Sequence, residues 1–322
     1  MPSTIEQKIF ALKKEAVRGV AEATPDQWRA VNADSELTYT LAFAEDETKR
    51  GINAKHPAAP TIKDGEGPIN FPVRASEIGE FLHMAIGDPV TTTPDGATLA
   101  RLHTFKGPIG GVQDVQRPSY TYFLERGISV KKYSLGQVNE LAFTQDPDGL
   151  MQMAAATFFK TEEPGSIGTP IFTGESEEAE PDLITVKLDD VVQAEVRQIS
   201  ATIANNLFKK RTFNQTKDLQ DIIAVGPMSL AGGFEIFFET EAERVKFLAA
   251  TQVKIDYEFV GGLVESGQNF ELKLAIPTAK YRAFPFGDLD GILGATVEWE
   301  AEFDRSSASL FSALLVNARV SY

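Results

Sequence analysis

The sequence of 322 residues contains no cysteine. This absence excludes disulfides, thiol nucleophiles and zinc sites built on thiolates, and it is typical of a protein made in a reducing cytoplasm. The sequence also has no uncharged apolar run of about 18 residues, which excludes a membrane-spanning helix. Near the start of the chain, Glu6, Lys8 and Lys13 interrupt the apolar stretch that a signal peptide requires, so we expect no signal peptide.

Basic residues are in the minority. The chain has 31 Lys and Arg against 46 Asp and Glu, which gives a net charge of −15 and a pI near 4.8. A protein that grips nucleic acid or an anionic membrane normally carries a basic patch. The charge has the wrong sign for either role, although an acidic surface would keep DNA from adhering to it.

Few residues could carry acid–base or metal chemistry. The three histidines, His56, His83 and His103, share no spacing such as HExxH, so a site would need tertiary convergence. Asp146 and Asp288 each open an Asp-x-Asp-Gly element, but the glycine comes too early for a calcium loop, and both elements are interpreted as turns. No nucleophile elbow, Walker loop or dinucleotide fingerprint is present. The sequence therefore predicts no catalytic, cofactor-binding or metal-ligating residue, no cofactor and no enzyme.

Alternation of apolar and polar residues with period two dominates the chain, and it predicts half-buried strands. Two short helices are expected, one capped by Ser76 and ended by Gly87, the other opened by Thr240 with Glu243 at capping-box spacing. The fold class is mainly β with a few helices, a β-sandwich or barrel. The predicted strands are 37–43, 69–73, 120–124, 129–133, 138–143, 151–159, 234–238, 254–260, 270–276, 280–284, 293–303 and an extended run over 310–322.

Three segments depart from this pattern. The first 36 residues are predicted to form an N-terminal arm, with Ile5, Ile9 and Leu12 at helical spacing. Residues 44–68, rich in charge, Gly and Pro, predict a long exposed loop. Residues 166–182 are acidic and Pro-rich and predict a linker.

The order of elements repeats on the two sides of this linker. Phe81-Leu82 matches Phe247-Leu248, Lys132-Tyr133 matches Lys280-Tyr281, and the two Asp-x-Asp-Gly turns match each other. Their collinearity predicts an internal duplication, with an arm over 1–36, a first domain over 37–165, a linker over 166–182 and a second domain over 183–322.

Four short segments also carry a family resemblance: Glu45–Gly51, Ile78–Gly87, His103–Phe105 and Lys132–Leu141. In this order and spacing the chain resembles bacteriophage tail tube proteins (major tail proteins) of about its own length, over about residues 10–322. The resemblance implies two tandem tube domains, each with a flanking helix, that contribute strands to a β-barrel shared between subunits. It also implies a structural virion protein whose stacked rings form the tail tube, the conduit for genome ejection.

The resemblance implies partners as well. The first is the chain itself, in a trimer with pseudo-sixfold symmetry if each chain supplies two ring positions, or otherwise in a hexamer. The others are the tape measure protein, the tail terminator and tip proteins, and double-stranded DNA that passes through the lumen without specific binding. No membrane partner is implied, and the location is the tail of the virion after synthesis in the host cytoplasm.

The loop over 44–68 is a candidate for stacking one ring on the next, the alternative being a mobile surface loop. We also expect a net acidic lumen, although the acidic surplus would equally serve solubility. The alternative function is a β-rich virion adaptor or a ligand-binding module of the carbohydrate-binding kind, which would stay monomeric where a tube protein would polymerise. The charged residues of the candidate stacking loop are Glu45, Asp46, Lys49, Arg50, Lys55, Lys63 and Asp64.

Overall fold

A computed structural model describes residues 8–46, 48, 57–108, 116–172, 178–213 and 216–322. Antiparallel strands dominate these residues, which confirms the mainly β fold class. The only helices within these ranges longer than a 3-10 turn have eight and seven residues. Neither approaches the length that a helix needs to cross a bilayer.

The chain up to residue 164 contains one helix and ten strands in the described ranges. In chain order these are β1 (Lys8–Lys14), β2 (Gln27–Arg29), β3 (Thr38–Ala44), β4 (Ala59–Pro72), α1 (Gly79–Ile86), β5 (Val90–Thr92), β6 (Arg101–Gly107), β7 (Tyr120–Arg126), β8 (Val130–Gln145), β9 (Gln152–Phe159) and β10 (Thr161–Pro164).

The second half follows a short 3-10 turn at Pro181–Leu183. Its elements are β11 (Ile184–Leu188), β12 (Val191–Val192), β13 (Val196–Ala204), β14 (Leu207–Lys210), β15 (Asp221–Ala224), β16 (Ser229–Phe237), α2 (Ala242–Leu248), β17 (Val253–Glu265), β18 (Gln268–Ala283), β19 (Phe286–Leu289), β20 (Ile292–Ala301) and β21 (Phe311–Asn317).

The same pattern of strand pairing occurs in both halves. The first half pairs β1–β2, β1–β7, β7–β8, β8–β9, β8–β10, β4–β9 and β3–β4. The second half pairs β11–β12, β11–β17, β17–β18, β18–β20, β18–β21, β16–β20 and β13–β16 in the same roles. Each helix lies between matching strands. The hairpin β5–β6 is an insertion in the first half, and β14, β15 and β19 have no separate counterpart in it.

Two local features align the halves residue by residue. A bulge lies between Val138 and Glu140 where β8 pairs with β9, and between Tyr281 and Ala283 where β18 pairs with β20. A glycine also recurs at one position: a Cβ on Gly67 would lie 1.9 Å from the Glu36 carbonyl oxygen, and one on Gly232 would lie 2.1 Å from the Ser200 carbonyl oxygen. Neither site has room for any side chain, so both glycines are required by the close approach of the neighbouring backbone.

The Lys-Tyr match in the sequence does not correspond to this alignment. Tyr133 pairs with β7 and β10, whereas Tyr281 pairs with Trp299 of β20. The two tyrosines therefore occupy different places in the repeated pattern.

Two ladders join the halves. Residues 140–145 of β8 pair antiparallel with residues 199–204 of β13, and β6 of the inserted hairpin pairs antiparallel with β21. The strands β4, β9, β8, β13, β16 and β20 are consequently neighbours in one continuous antiparallel sheet. The buried faces of both halves belong to a single apolar cluster.

Several expectations for individual elements are wrong. The arm is not helical: β1 pairs with β7 and buries Phe10 and Leu12. The long loop is shorter than expected, because β4 begins at Ala59 and pairs with β3 and then β9. Gly and Pro interrupt the alternation of side chains in this strand. A strand tolerates proline where its N–H is not needed for the ladder, and glycine where another backbone approaches closely.

Neither helix is capped as expected. Ile78 is the N-cap of α1, and the buried Ser76 hydroxyl has no hydrogen-bond partner. Glu241 is the N-cap of α2, without a side-chain cap bond, so Thr240 and Glu243 form no capping box. The strand pairs expected over 129–143 and over 270–284 are each one long strand that changes partners along its length.

The helices differ in burial. Every residue of α1 is buried and none of α2 is. Glu80 of α1 is completely inaccessible, and its carboxylate lies 2.6 Å from the guanidinium of the equally buried Arg29. Arg319 from the end of the chain contacts the same carboxylate. Burial lowers the pKa of the Arg29 guanidinium, so this charge depends on its carboxylate partner.

Replacement of Glu80 by alanine should therefore destabilise the fold severely. Removal of one member of a buried ion pair costs about 3–5 kcal/mol because the other charge stays buried without compensation. Urea unfolding followed by tryptophan fluorescence measures the loss. The matched control is Glu241→Ala, which removes an exposed carboxylate 3.3 Å from Arg244 and should cost under about 1 kcal/mol. Similar losses in the two variants would contradict the prediction.

Candidate interaction surfaces

The continuous sheet has one buried face and one open face. Burial alternates along β9, β13 and β20, with core residues such as Met153, Ala201 and Val297 separated by accessible ones. The accessible residues pair with each other across strands, as Ala142 does with both Ala154 and Thr202. The open face is formed by Glu66, Asn70, Glu140, Ala142, Thr144, Gln152, Ala154, Ala156, Ser200, Thr202, Ala204, Ala231, Gly233, Glu235, Thr296, Glu298 and Glu300.

Small and acidic side chains characterise this open face, and glutamate is the only charged residue type in the set. Cations lie beside it at two places, on β14 and on β18. The Lys209 ammonium of β14 is 2.7 Å from the Glu66 carboxylate. The Arg282 guanidinium is 2.8 Å from the Glu300 carboxylate, and the Lys280 ammonium is 3.2 Å from that of Glu302. The face is therefore a low-relief acidic surface with its neighbouring cations paired.

Two backbone edges bound the continuous sheet. At one end, beyond β4, lie residues 35–40, which lead into β3. At the other end, beyond β20, lie the last residues of β18 and all of β19; the latter pairs with β20. Within the described ranges no strand pairs with the outer side of either segment. An unpaired strand edge is a template for another strand.

Cationic side chains cover the first of these edges. The Lys8 ammonium donates to the carbonyl oxygens of Ala33 and Ser35, at 3.1 and 2.5 Å, and Arg126 donates to that of Leu37 at 2.8 Å. Both cations also contact the Glu36 carboxylate. Burial opposes ionisation of Glu36, but hydrogen bonds from Arg126 and Lys8 hold its pKa below the ordinary value.

The candidate stacking residues are only partly covered by the structure. Glu45 and Asp46 follow β3, and hydrogen bonds from Thr48 lower the pKa of the exposed Asp46 carboxyl. Lys63 and Asp64 lie within β4, not in a loop. Lys49, Arg50, Lys55 and His56 lie outside the described residues.

Lys63 and Asp64 contact the hairpin β14–β15 of the second half. The Lys63 amide donates to the Lys217 carbonyl oxygen at 2.9 Å. The Asp64 carboxylate lies 2.7 Å from Lys209 and 3.3 Å from Arg211, and the Lys209 ammonium sits 4.2 Å from the centre of the Phe158 ring. The region around β14 and β15 therefore clamps the β3–β4 hairpin from within the same chain.

Tyr39 strengthens this clamp. Its phenol donates to the Asp218 carboxylate at 2.5 Å, and burial together with this bond raises the pKa of the phenol. Asp218 also lies 3.6 Å from the Lys63 ammonium. The clamp was not anticipated from the sequence, because its partners are far apart in the chain.

The two described histidines lie in separate hydrogen-bonded settings. His83 contacts the Tyr120 hydroxyl at 2.7 Å and Asp88 at 2.6 Å, and burial lowers its pKa. His103 contacts the Thr91 hydroxyl and the Arg319 carbonyl oxygen. Across the described ranges, no group of three or more His, Asp or Glu residues is placed to hold a metal ion.

The chain is thus a mainly β protein with an open acidic face and unpaired sheet edges. The comparison with protein families specifies its family. The family described as "Phage tail tube protein" matches residues 6–301, and the chain belongs to this family. It is a structural protein of a bacteriophage tail. No curated protein matches the chain.

Replacement of Lys209 by methionine should loosen the clamp without unfolding the chain. Loss of the pairs to Asp64 and Glu66 should cost about 1 kcal/mol locally. Hydrogen exchange at the Lys63 amide should then become about fivefold faster. Lys210→Met, at an exposed neighbouring position of β14, is the control and should leave this exchange rate unchanged. An unchanged rate in the Lys209 variant would show that the ion pairs do not hold the clamp.

Proposed function

We propose that the chain assembles into rings whose sheets join around a central channel, and that the rings stack into the tube through which the phage genome is ejected. The observation that supports this most directly is the open face of the continuous sheet. A channel for DNA must not hold the duplex, and each neutralised phosphate would add salt-dependent affinity. A wall of small and acidic side chains repels the duplex uniformly and offers no deep binding minimum.

We further propose that each chain supplies two ring positions. The repeated pairing pattern supports a division into two tandem tube domains, over 37–165 and 183–322, joined by the linker over 166–182. The arm over 1–36 supplies β1 and β2, which have the roles of β11 and β12 in the second half, so it completes the first repeat. Three chains would then form a ring with pseudo-sixfold symmetry.

The remaining assignments follow from this role. The proposed partners are further copies of the chain, the tape measure protein, the tail terminator and tip proteins, and double-stranded DNA in transit. The chain is made in the host cytoplasm before it enters the virion tail. Its role is mechanical, and no catalytic step is assigned to it. Negative-stain electron microscopy of the purified protein at high concentration tests the proposal, which requires rings or tubes; a protein that stays monomeric contradicts it.

Reversal of charge on the open face should create affinity for DNA. Tubes of the double variant Glu140→Lys, Glu298→Lys should retain duplex DNA at low salt and release it as salt rises, with a steeper salt dependence for each added phosphate contact. Wild-type tubes should retain none at physiological salt. The control is Glu241→Lys, on the exposed helix α2 away from this face. Equal DNA retention by the control and the double variant would contradict the channel assignment, as would binding by wild-type tubes.

Deletion of residues 48–56 should abolish stacking while leaving the ring intact. The deletion spares β3 and β4, whose last pair is Ala44 with Ala59, and shortening a hairpin loop changes its closure entropy only slightly. Single rings should replace tubes in micrographs. A control variant replaces the same residues by a Gly/Ser segment of equal length, which removes the side-chain contacts but keeps the length of the loop. Tubes of normal length from the deletion variant would exclude the deleted residues, Lys49, Arg50 and Lys55 among them, from the stacking contact.

A further inference from the structure

The ladder between β8 and β13 has unpaired counterparts at both ends of the sheet. Within the chain, residues 140–145 pair with residues 199–204. The matched bulges place residues 283–288 in the role of 140–145. The matched glycine contacts place residues 35–40 in the role of 199–204, because Glu36 stands to Gly67 as Ser200 stands to Gly232.

Both counterpart segments direct outward the backbone groups that pair with no neighbouring strand. The Glu36 amide donates inward to the Pro68 carbonyl oxygen at 3.0 Å, and the Thr296 amide donates to the Pro285 carbonyl oxygen at 3.0 Å. Backbone groups alternate sides along an antiparallel strand. Leu37 and Tyr39 therefore present their groups to one open edge, and Phe284 and Phe286 to the other. Pro285, which has no N–H to donate, faces β20, so it leaves the open edge intact.

Two phenylalanines at equivalent positions differ in their exposed fraction, and the difference shows that the open edge lacks a covering strand. Phe143, covered by β13, is 8% exposed, whereas its counterpart Phe286 is 44% exposed. Phe286 rests on Phe238, with ring centres 4.7 Å apart, and under the Arg244 guanidinium at 5.3 Å. Its remaining side is uncovered where β13 covers Phe143.

We propose that residues 283–288 of one chain pair antiparallel with residues 35–40 of a second copy of this chain. By the internal template, Leu37 lies opposite Phe286, and Tyr39 lies opposite Phe284. The proposal rests on the ring assembly proposed above and specifies its subunit contact. The two edges differ from each other, so the contact is head-to-tail. Repetition of this contact produces a closed ring when the rotation between neighbouring subunits divides a full turn evenly. Lys8 and Arg126 cover the first edge in the single chain, and this protects the edge from non-specific strand pairing before assembly.

Engineered disulfides test this register, since the chain has no cysteine of its own. The variant Thr38→Cys, Pro285→Cys places cysteines at a laterally close pair, with Cα atoms about 4.5 Å apart in the proposed ladder, within disulfide reach. Oxidation of assembled rings should produce covalent multimers of the chain on a denaturing gel, and reduction should return the monomer. The matched positive control is Ala142→Cys, Thr202→Cys, the equivalent pair within one chain. Oxidation of this variant should form an intrachain disulfide, and the protein should remain a monomer on the gel.

The variant Thr40→Cys, Pro285→Cys is the register control. Its cysteines would be about 7–8 Å apart, beyond disulfide reach, and it should remain monomeric on the gel. Two results would overturn the proposed contact while leaving the ring assembly in place. The first is assembled rings of the Thr38 variant that form no interchain disulfides, and the second is equal cross-linking of the Thr40 variant. Absence of rings and tubes from the wild-type chain overturns both.

A second variant covers the case in which the cysteine pair impairs assembly. Phe286→Glu changes an exposed side chain, so the chain should keep its wild-type circular dichroism spectrum. The protein concentration at which it forms rings should nevertheless be at least about tenfold higher, because a carboxylate would be buried opposite Leu37. Val191→Glu, at an exposed apolar residue of β12, is the control and should assemble as the wild type does. Unchanged assembly of the Phe286 variant overturns the contact.

Discussion

The backbone ladder between β8 and β13 is the contact on which the rest of the structure depends. It turns two similar sets of strands into one sheet, and it aligns the alternation of side chains across the junction. A slip of β13 by one residue against β8 would move Ala201 to the open face and Thr202 into the core. The register of this one ladder therefore decides both where the core lies and which side chains form the acidic surface.

The distribution of charge follows from the same arrangement. Cations near the sheet are held by carboxylates: Lys209 by Asp64 and Glu66, Arg282 by Glu300, and Arg126 by Glu36. They bind parts of the chain to each other and contribute little net positive potential to the open face. The acidic surplus of the sequence is thus not spread evenly, since the glutamates of the continuous sheet share one side of it.

Sequence reasoning reached the fold class and family because both depend on patterns that a linear reading preserves. Period-two alternation identifies most strands, and Gly87, with a φ of 116°, ends α1 as expected. Predictions from the sequence are wrong where tertiary contacts determine the local structure. Residues 133–138 of β8 are all buried, and Pro277 and Thr278 of β18 are both half-buried, so the alternation is lost in the middle of each strand and the pattern predicts two strands instead of one. Lys8 and Arg126 could not be assigned to the edge beside Glu36, because 28 and 90 residues separate them from it.

The shared core has a consequence for how the chain can unfold. A cavity of about 30 Å³ at its centre is lined by Leu82, Phe143 and Met151 from the first half and by Ile199, Tyr257 and Leu272 from the second. Neither half encloses these side chains alone, so separating the halves would expose an apolar surface inside each. Contact of this apolar surface with water would disfavour either repeat as an independent protein. Heat or denaturant should melt the chain as one cooperative body, although its pairing pattern is that of two.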